Sequence, residues 1–526
     1  MLITFANKVT YFAKSFFVLI KIWYTFYVSK NKHSFFQAKS KNFSEKNSDK
    51  LTLPQDFLCD FENQFEKDNL AKYIECFGKP SVKGVRFNNL KGNSDLIKDF
   101  YQNFEKIPYF ENCYYVENEQ KLGNSILHQS GAFYVQEPSS MIPVASVKNL
   151  DFQNKLVLDL CASPGGKSTQ IASLMNNTGL LVSNEINFSR AKVLFSNIER
   201  LGIKNCIVLN ETPQNLANNF KGIFDYIFVD APCSGEGMFR KDNLAIKEWN
   251  SNLKFYNQTR QLEILKYANE MLKSGGTLVY STCTFNLIEN EQVVDSFSKT
   301  FNYKIMPVCD DVIKFTVGGK TLNDNLELAS THHFFPFYAK GEGQFVAVLK
   351  KEEQNVSLAN SRKQKQLQVQ DSELKIIKNF ISENLNSNFE LSDYLLNKNG
   401  EQICIIKKQE QALNLTGIRT ICQGVILGEI VKDRLEVHHQ FFSAYSTFFK
   451  NYFDLNYTSE FLKKYAKGEE LTLFEVCESK DLISYCCGQK GYGVIKASGY
   501  ALGGFKIVDG KLKNAYPKAL RVNNSF

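Results

Sequence analysis

Between residues 141 and 350 the apolar positions of this chain come as short continuous runs, separated by stretches with helical spacing. The runs at 156–160, 180–184, 206–209, 226–230, 277–281 and 345–349 have the length and apolar content of strands buried on both faces. Helical spacing fills 168–175, 188–201 and a long stretch ending near 272. Strands alternating with helices predict βαβ units and a mostly parallel α/β sheet covered on both faces. In such sheets ligands bind outside the carboxyl ends of the strands, where the strand order reverses. The tails that follow the strands therefore carry the candidate chemistry: 161–167, Glu185, Thr212, 230–233 and 281–283.

The flanks differ. Leu53-Pro54-Gln55-Asp56-Phe57 predicts a helix start, with Pro near N1 and Asp in the first turn, and helical spacing continues to about Phe77. Residues 84–91 alternate like a strand, and 101–115 are rich in aromatics, so 51–140 reads as a small α+β region. Residues 351–370 are charged and polar without periodicity, the composition of a linker. Beyond it, 424–429 and 499–508 predict short strands with glycine turns, so 371–526 reads as a β-rich module. In the first fifty residues the apolar segment 12–28 is interrupted by Lys14 and Lys21, and its longest uncharged run falls far short of the ~20 residues of a membrane span. A Lys-, Asn- and Ser-rich stretch follows with no small-residue cleavage site, so a disordered or mis-started extension is expected rather than an anchor.

Composition narrows the class. At 526 residues the chain exceeds a single core, and 43% hydrophobic with 22% charged residues describes a globular protein. Lys+Arg 63 against Asp+Glu 55 gives +8, which permits a nucleic-acid partner without demanding one. Thirteen cysteines at irregular spacing, with no CxxC pair, read as reduced thiols of a cytoplasmic protein, and no protein partner is evident. His332-His333 and His438-His439 invite a metal reading, but neighbours on a strand point to opposite faces and no ligand set completes them, so no metal site is expected. Cys486-Cys487 reads as packing, while Arg362-Lys363-Lys365 and Lys511, Lys513, Lys518 and Arg521 are basic patches suited to phosphates.

The loop Cys161-Ala162-Ser163-Pro164-Gly165-Gly166-Lys167-Ser168 admits two ligand classes. It nearly matches a phosphate-binding loop, but Cys161 stands where the first glycine belongs and Pro164 removes an N–H from the cradle. A nucleoside cofactor such as S-adenosylmethionine suits it better. Glu185 ends the second strand 26 residues after Asp159, near the roughly 20-residue spacing of ribose-binding acids. Cys233 and Cys283 then stand at two further strand ends beside that loop. A thiolate there can add to carbon 6 of a pyrimidine and make carbon 5 nucleophilic towards a methyl sulfonium, and a second thiol can assist product release. Chemistry alone leaves open which cysteine attacks.

Asp159-Leu160-Cys161-Ala162-Ser163-Pro164-Gly165-Gly166-Lys167, Asp230-Ala231-Pro232-Cys233-Ser234-Gly235-Glu236-Gly237 and Ser281-Thr282-Cys283-Thr284 resemble, in that order, the motifs of the RNA (cytosine-5)-methyltransferases. Within that family the chain is most similar to the bacterial RsmF type acting on 16S ribosomal RNA. Arg86-Phe87-Asn88 and the stretch from Phe133 to Met141 resemble its N-terminal domain, and Lys513-Asn514-Ala515-Tyr516-Pro517-Lys518 its C-terminal, PUA-like end. The resemblance implies a Rossmann-like methyltransferase core at 141–350 between two RNA-binding regions. It implies Cys283 as nucleophile and Cys233 as the residue assisting release, with Asp230 between cofactor and base beside Lys167. It also implies that Cys161, Ala162, Ser163, Pro164, Gly165, Gly166, Lys167, Glu185, Thr212 and Asp230 line the S-adenosyl-L-methionine pocket. The expected partner is RNA, 16S rRNA or the small subunit before tRNA. A phosphate-loop NTPase and a non-catalytic RNA-binding protein are the readings from other classes. Two positions depart from the family: Asn210-Glu211-Thr212 stands where an adenine-contacting aspartate is usual, and Phe337 follows Pro336 where a histidine is usual.

Overall fold

A computed structural model of the chain describes residues 53–116, 122–322, 324–353, 369–408, 413–488 and 490–521. The extension at 1–50 and the basic patch Arg362-Lys363-Lys365 lie outside the described residues. Near the N-terminus the helical spacing resolves into two helices, Gln55–Phe65 and Lys67–Cys76, rather than one, because Glu66 takes a left-handed φ of 71° between them. The break turns Phe57, Phe61, Phe65 and Tyr73 onto Phe239, Trp249, Phe285 and Phe335, so the helix pair roofs two loops of the central domain. Burying each such ring contributes roughly 1.5–3 kcal/mol.

Behind the helices a four-stranded antiparallel sheet runs in the order β2-β3-β1-β4, with β1 (Lys83–Phe87), β2 (Glu105–Lys106), β3 (Cys113–Val116) and β4 (Phe133–Gln136). The strand expected over 84–91 stops at Phe87. Asn88 ends it by turning its side-chain amide onto the Gly131 and Leu201 carbonyls, both at 2.9 Å.

The central sheet has ten strands. Its five parallel members are β5 (Leu156–Asp159), β6 (Leu180–Asn184), β7 (Cys206–Leu209), β8 (Phe224–Asp230) and β9 (Leu272–Thr282), in the order β7-β6-β5-β8-β9. Alternate residues serve opposite faces: Leu156, Leu158 and Leu160 join the cluster containing Ile264, Leu265 and Ala268, whereas Val157 joins Ile171, Ala172 and Met175. The helices that supply these partners, Leu253–Met271 and Gly166–Met175, therefore cover the two faces, which is the doubly wound arrangement. Lys273-Ser274-Gly275-Gly276 lies inside β9 as a bulge. Gly275 sits at φ 69°, and the β8–β9 register shifts between Phe224 and Tyr226. Beyond β9 the sheet turns antiparallel through β10 (Tyr303–Met306), β11 (Val317–Gly318), β12 (His332–Phe334) and β13 (Gln344–Lys351).

The C-terminal part folds into two further sheets. One holds β14 (Tyr394–Asn399), β15 (Gln402–Lys407), β17 (Val425–Val431) and β18 (Arg434–Val437); the other has six strands around Gly491–Ala497 and Tyr500–Val508. One strand of this region, β16 (Thr420–Gln423), leaves it and pairs antiparallel with β7, forming the outer edge of the central sheet. Among the described residues no helix is long and apolar enough to cross a membrane.

Candidate active site

The order β7-β6-β5-β8-β9 reverses direction between β5 and β8, so the crevice between their carboxyl ends is the place where a ligand sits. Past β5 the chain turns through Cys161–Lys167. Gly165 adopts φ 110° at the start of Gly166–Met175, where a Cβ would come within 3.1 Å of Leu194 Cδ1. The outer wall of the loop is tied to the next helix: the Ser163 hydroxyl donates to the Arg190 carbonyl at 3.0 Å, and Asn197 donates to the Pro164 carbonyl at 2.9 Å. Ala162 donates its N–H to the Asn184 carbonyl. Burial pushes the Cys161 thiol far up, with Asp159, Asp230 and Glu185 adding to the effect, so this cysteine is a neutral wall residue.

Asp159 is fully buried at the floor of the crevice. One carboxylate oxygen accepts from the Ser168 hydroxyl at 2.6 Å, and the other has no hydrogen-bond partner. Burial pushes its carboxyl up to about 7 against Ser168 and Lys167. Lys167 pairs with Asp230 at 2.8 Å. Burial works against the ammonium, but the Asp230 carboxylate and its hydrogen bond outweigh it, and the lysine is held above its ordinary range. Ser281 donates to the second Asp230 oxygen at 2.7 Å. At the end of β6 the buried Glu185 accepts the Asn187 N–H at 2.9 Å and faces Arg190 at 3.5 Å. Thr212, expected to line the pocket, spends its hydroxyl on the N-terminus of Pro213–Asn219, accepting the Asn215 N–H at 3.2 Å.

Cys233 and Cys283 meet, with their sulfur atoms 3.3 Å apart. β8 and β9 are parallel neighbours with Asp230 opposite Ser281, so the residues three and two positions beyond that pair, Cys233 and Cys283, share one spot. The hydrogen bond to Cys283, together with burial, holds the Cys233 thiol well above the ordinary thiol range. A buried polar lattice fixes both loops. Glu289 accepts the Ser234 N–H at 2.9 Å and the Gln261 amide at 3.0 Å. Glu236 accepts the N–H groups of Phe285 and Asn286, each at 3.0 Å, and the indole N–H of Trp249 at 3.2 Å. The Asn286 amide bridges the two carboxylates at 3.0 and 2.9 Å. Burial pushes Glu289 up to about 7, which these donors oppose. Gly237 and Gly343 let their two loops close in, since a Cβ on Gly343 would lie 2.6 Å from the Gly237 Cα.

The sequence reading gave no role to Glu236, Asn286, Glu289 or Arg86. Arg86, on β1, is buried and donates to the Thr169 hydroxyl at 2.6 Å and to the Thr169 and Gly166 carbonyls at 3.1 and 3.4 Å. It thereby ties the N-terminal sheet to the first turn of the helix that follows the glycine loop. Arg86→Ala is expected to cost about 2–3 kcal/mol of stability by orphaning those buried acceptors. Arg86→Lys should restore little of it, because a single ammonium cannot reproduce the fork. Urea denaturation checks both.

The histidine pairs are held by protein contacts. His332 bonds the Thr316 hydroxyl, His333 bonds Glu291 at 2.8 Å, His438 caps His439–Ala444, and His439 packs edge-on against Tyr516. The described residues contain no group of three His, Cys, Asp or Glu able to hold a metal ion. Phe337 stacks on Phe335 with centroids 5.1 Å apart.

Three family models match in chain order: the N-terminal domain of 16S rRNA methyltransferase RsmF over 53–138, 16S rRNA methyltransferase RsmB/F over 147–350, and the methyltransferase RsmF PUA domain over 452–522. Ribosomal RNA small subunit methyltransferase F of Shewanella piezotolerans is 32% identical over 86% of this chain and 93% of its own length. That of Shewanella oneidensis is 31% identical over the same shares. The protein of that name from Vibrio atlanticus is 37% identical over 57% of this chain, an alignment that spans 64% of the relative. Among solved structures, PH0851 superposes with TM-score 0.51 at 23% identity, covering 60% of this chain and 70% of its own, and shares the fold. A methyltransferase homolog protein from Pyrococcus horikoshii gives TM-score 0.49 at 25% identity, over 57% of this chain and 96% of its own. Matched by three family models in order and by relatives 31–32% identical over 86% of its length, the chain belongs to the ribosomal RNA small subunit methyltransferase F family of S-adenosylmethionine-dependent methyltransferases.

Proposed function

We propose that this chain methylates carbon 5 of a cytosine in RNA, with 16S ribosomal RNA of the small subunit as substrate. The observation that carries this reading is the pair of sulfur atoms 3.3 Å apart at the ends of β8 and β9, beside the glycine loop. The crevice suits the cofactor. Asp159 keeps one buried acceptor without a protein partner, which matches the methionine ammonium, and Glu185 offers a carboxylate to the ribose hydroxyls. In this reading the loop from Cys161 to Lys167 holds the methionine portion. When bound, S-adenosylmethionine supplies an electrophilic methyl group on a sulfonium sulfur.

Cys283, as thiolate, bonds carbon 6 of a cytosine extruded from the RNA. The electron pair released into the ring makes carbon 5 nucleophilic, and bound S-adenosylmethionine would supply the methyl group it takes up, keeping the electron pair of the methyl–sulfur bond on its own sulfur. Carbon 5 then loses its proton to a base, the carbon 6–sulfur bond breaks, and Cys283 leaves as thiolate. Cys233 assists that departure, since its thiol keeps its proton and lies in hydrogen-bond contact with the leaving sulfur. Asp230, braced by Lys167 and Ser281, faces the base from the cofactor side.

The test is bisulfite sequencing of total RNA from a deletion strain, compared with the parent and with a strain re-expressing the chain. Loss of 5-methylcytosine at one or more small-subunit rRNA positions, restored on re-expression, is expected. Loss confined to tRNA would move the substrate, and no loss in any RNA would end the cytosine reading.

A further inference from the structure

Two buried asparagines lace the strand tails that wall the crevice. Asn184 donates to the Leu160 carbonyl at 3.2 Å and the Glu211 carbonyl at 3.0 Å, and its own oxygen accepts the Glu211 N–H. Asn210 commits both amide hydrogens to the turn that carries Glu185, donating to the Glu185 carbonyl at 2.8 Å and the Ile186 carbonyl at 2.9 Å. Its remaining group, Oδ1, is engaged from 209 positions further along the chain, by the Arg419 guanidinium at 3.1 Å. Arg419 also accepts the Asn210 N–H through its carbonyl at 2.9 Å and donates its own N–H to Glu211 at 3.0 Å. Thr420 then pairs with Leu209, and Leu413 and Ile418 are buried in the same cluster as Leu216 and Ala217.

We propose that Arg419, brought in from the C-terminal region, is a positioning residue for the cofactor site. Through Asn210 it fixes the Glu185–Ile186 turn, and with it the carboxylate that takes the ribose hydroxyls. This rests on the reading that Glu185 holds the cofactor. The physical reason lies in the carboxamide's two ends. A flipped Asn210 would aim its oxygen at two carbonyl oxygens and its NH2 at a guanidinium, so acceptors would face acceptors and donors a donor. Arg419 favours the orientation in which the amide clamps the turn. Without Arg419, the amide hydrogens are free to swing to water and the turn loses two tethers. Arg419 is otherwise exposed, just ahead of β16, so its removal leaves the packed core in place. The stretch 413–423 thus braces the tail of β7, and through Asn210 that of β6.

The experiment titrates S-adenosylhomocysteine, a stable probe of the cofactor site, into the full chain by calorimetry. Melting temperature and RNA affinity are measured alongside. Arg419→Ala is expected to weaken binding about tenfold, consistent with a charge-assisted hydrogen bond, while melting temperature and RNA affinity hold. Arg419→Lys should recover most of the loss, because one N–H donor still reaches Oδ1. Glu185→Gln should weaken binding on its own account. If Arg419→Ala binds like the parent while Glu185→Gln does not, the positioning role is wrong and the reading of Glu185 stands. If Glu185→Gln binds like the parent, the reading of Glu185 fails first and the inference with it. A loss in Arg419→Ala that comes with an equal fall in melting temperature and RNA affinity would mark a merely structural residue and overturn the proposal.

Discussion

Cys283→Ala should abolish methyl transfer, with a rate at least about 10⁴-fold below the parent, the scale on which a covalent catalyst loses its nucleophile. The expectation comes from the sulfur pair. Cys233, its sulfur 3.3 Å from that of Cys283, is held well above the ordinary thiol range by its hydrogen bond to Cys283 and by burial. A neutral thiol is a poor nucleophile and a good hydrogen-bond donor, in keeping with the proposed division in which Cys283 attacks the pyrimidine. The variant should still fold. Alanine removes one sulfur, and the loop remains latched by Glu236, which accepts the N–H groups of Phe285 and Asn286. Tritium transfer from labelled S-adenosylmethionine into small-subunit RNA measures the loss, with the melting curve as control. Activity within tenfold of the parent would exclude covalent attack from this position.

Cys233→Ala has a different expected outcome: enzyme trapped on its RNA, visible as a slow-migrating band in a denaturing gel. In the proposed reaction the first bond, from Cys283 to carbon 6, needs only Cys283, and so does methyl capture by carbon 5. Breaking that bond again needs help at the departing sulfur, and Cys233 is the group in contact with it. Its removal stalls the reaction after methylation, so label enters the RNA once per enzyme and turnover stops. Nuclease treatment should collapse the band. A band in Cys283→Ala and none in Cys233→Ala would exchange the two roles.

The parallel core was readable because each of its determinants is local. Short runs such as Leu180 to Val182 and Cys206 to Leu209 are apolar and buried, and their strands sit at the predicted residues. Glycine and proline marked the crevice loop. What escaped was decided by contacts between distant parts of the chain. Glu236, Asn286 and Glu289 look like ordinary loop and helix polars until two strand ends bring 236 and 286 together, 50 positions apart. Arg86 sits in an alternating segment that reads as a half-exposed strand, yet its fork is buried on a helix 83 positions away. Thr212 was assigned by its place after a strand, but its hydroxyl is used as a helix cap, a local competition that favours Thr at an N-terminus. The helix expected to run to Phe77 breaks at Glu66, where no glycine or proline warns of it.

The pairing of β16 with β7 also bears on the order in which the protein is made. β7 leaves the ribosome with one edge bare, and the strand that covers it is encoded roughly 200 residues later, a delay of about 10–40 s at ordinary elongation rates. For that interval the nascent methyltransferase sheet exposes unpaired Cys206 to Leu209, a short apolar edge of the kind that recruits other chains. A ribosome that stops before residue 420 therefore releases a sheet with an open side.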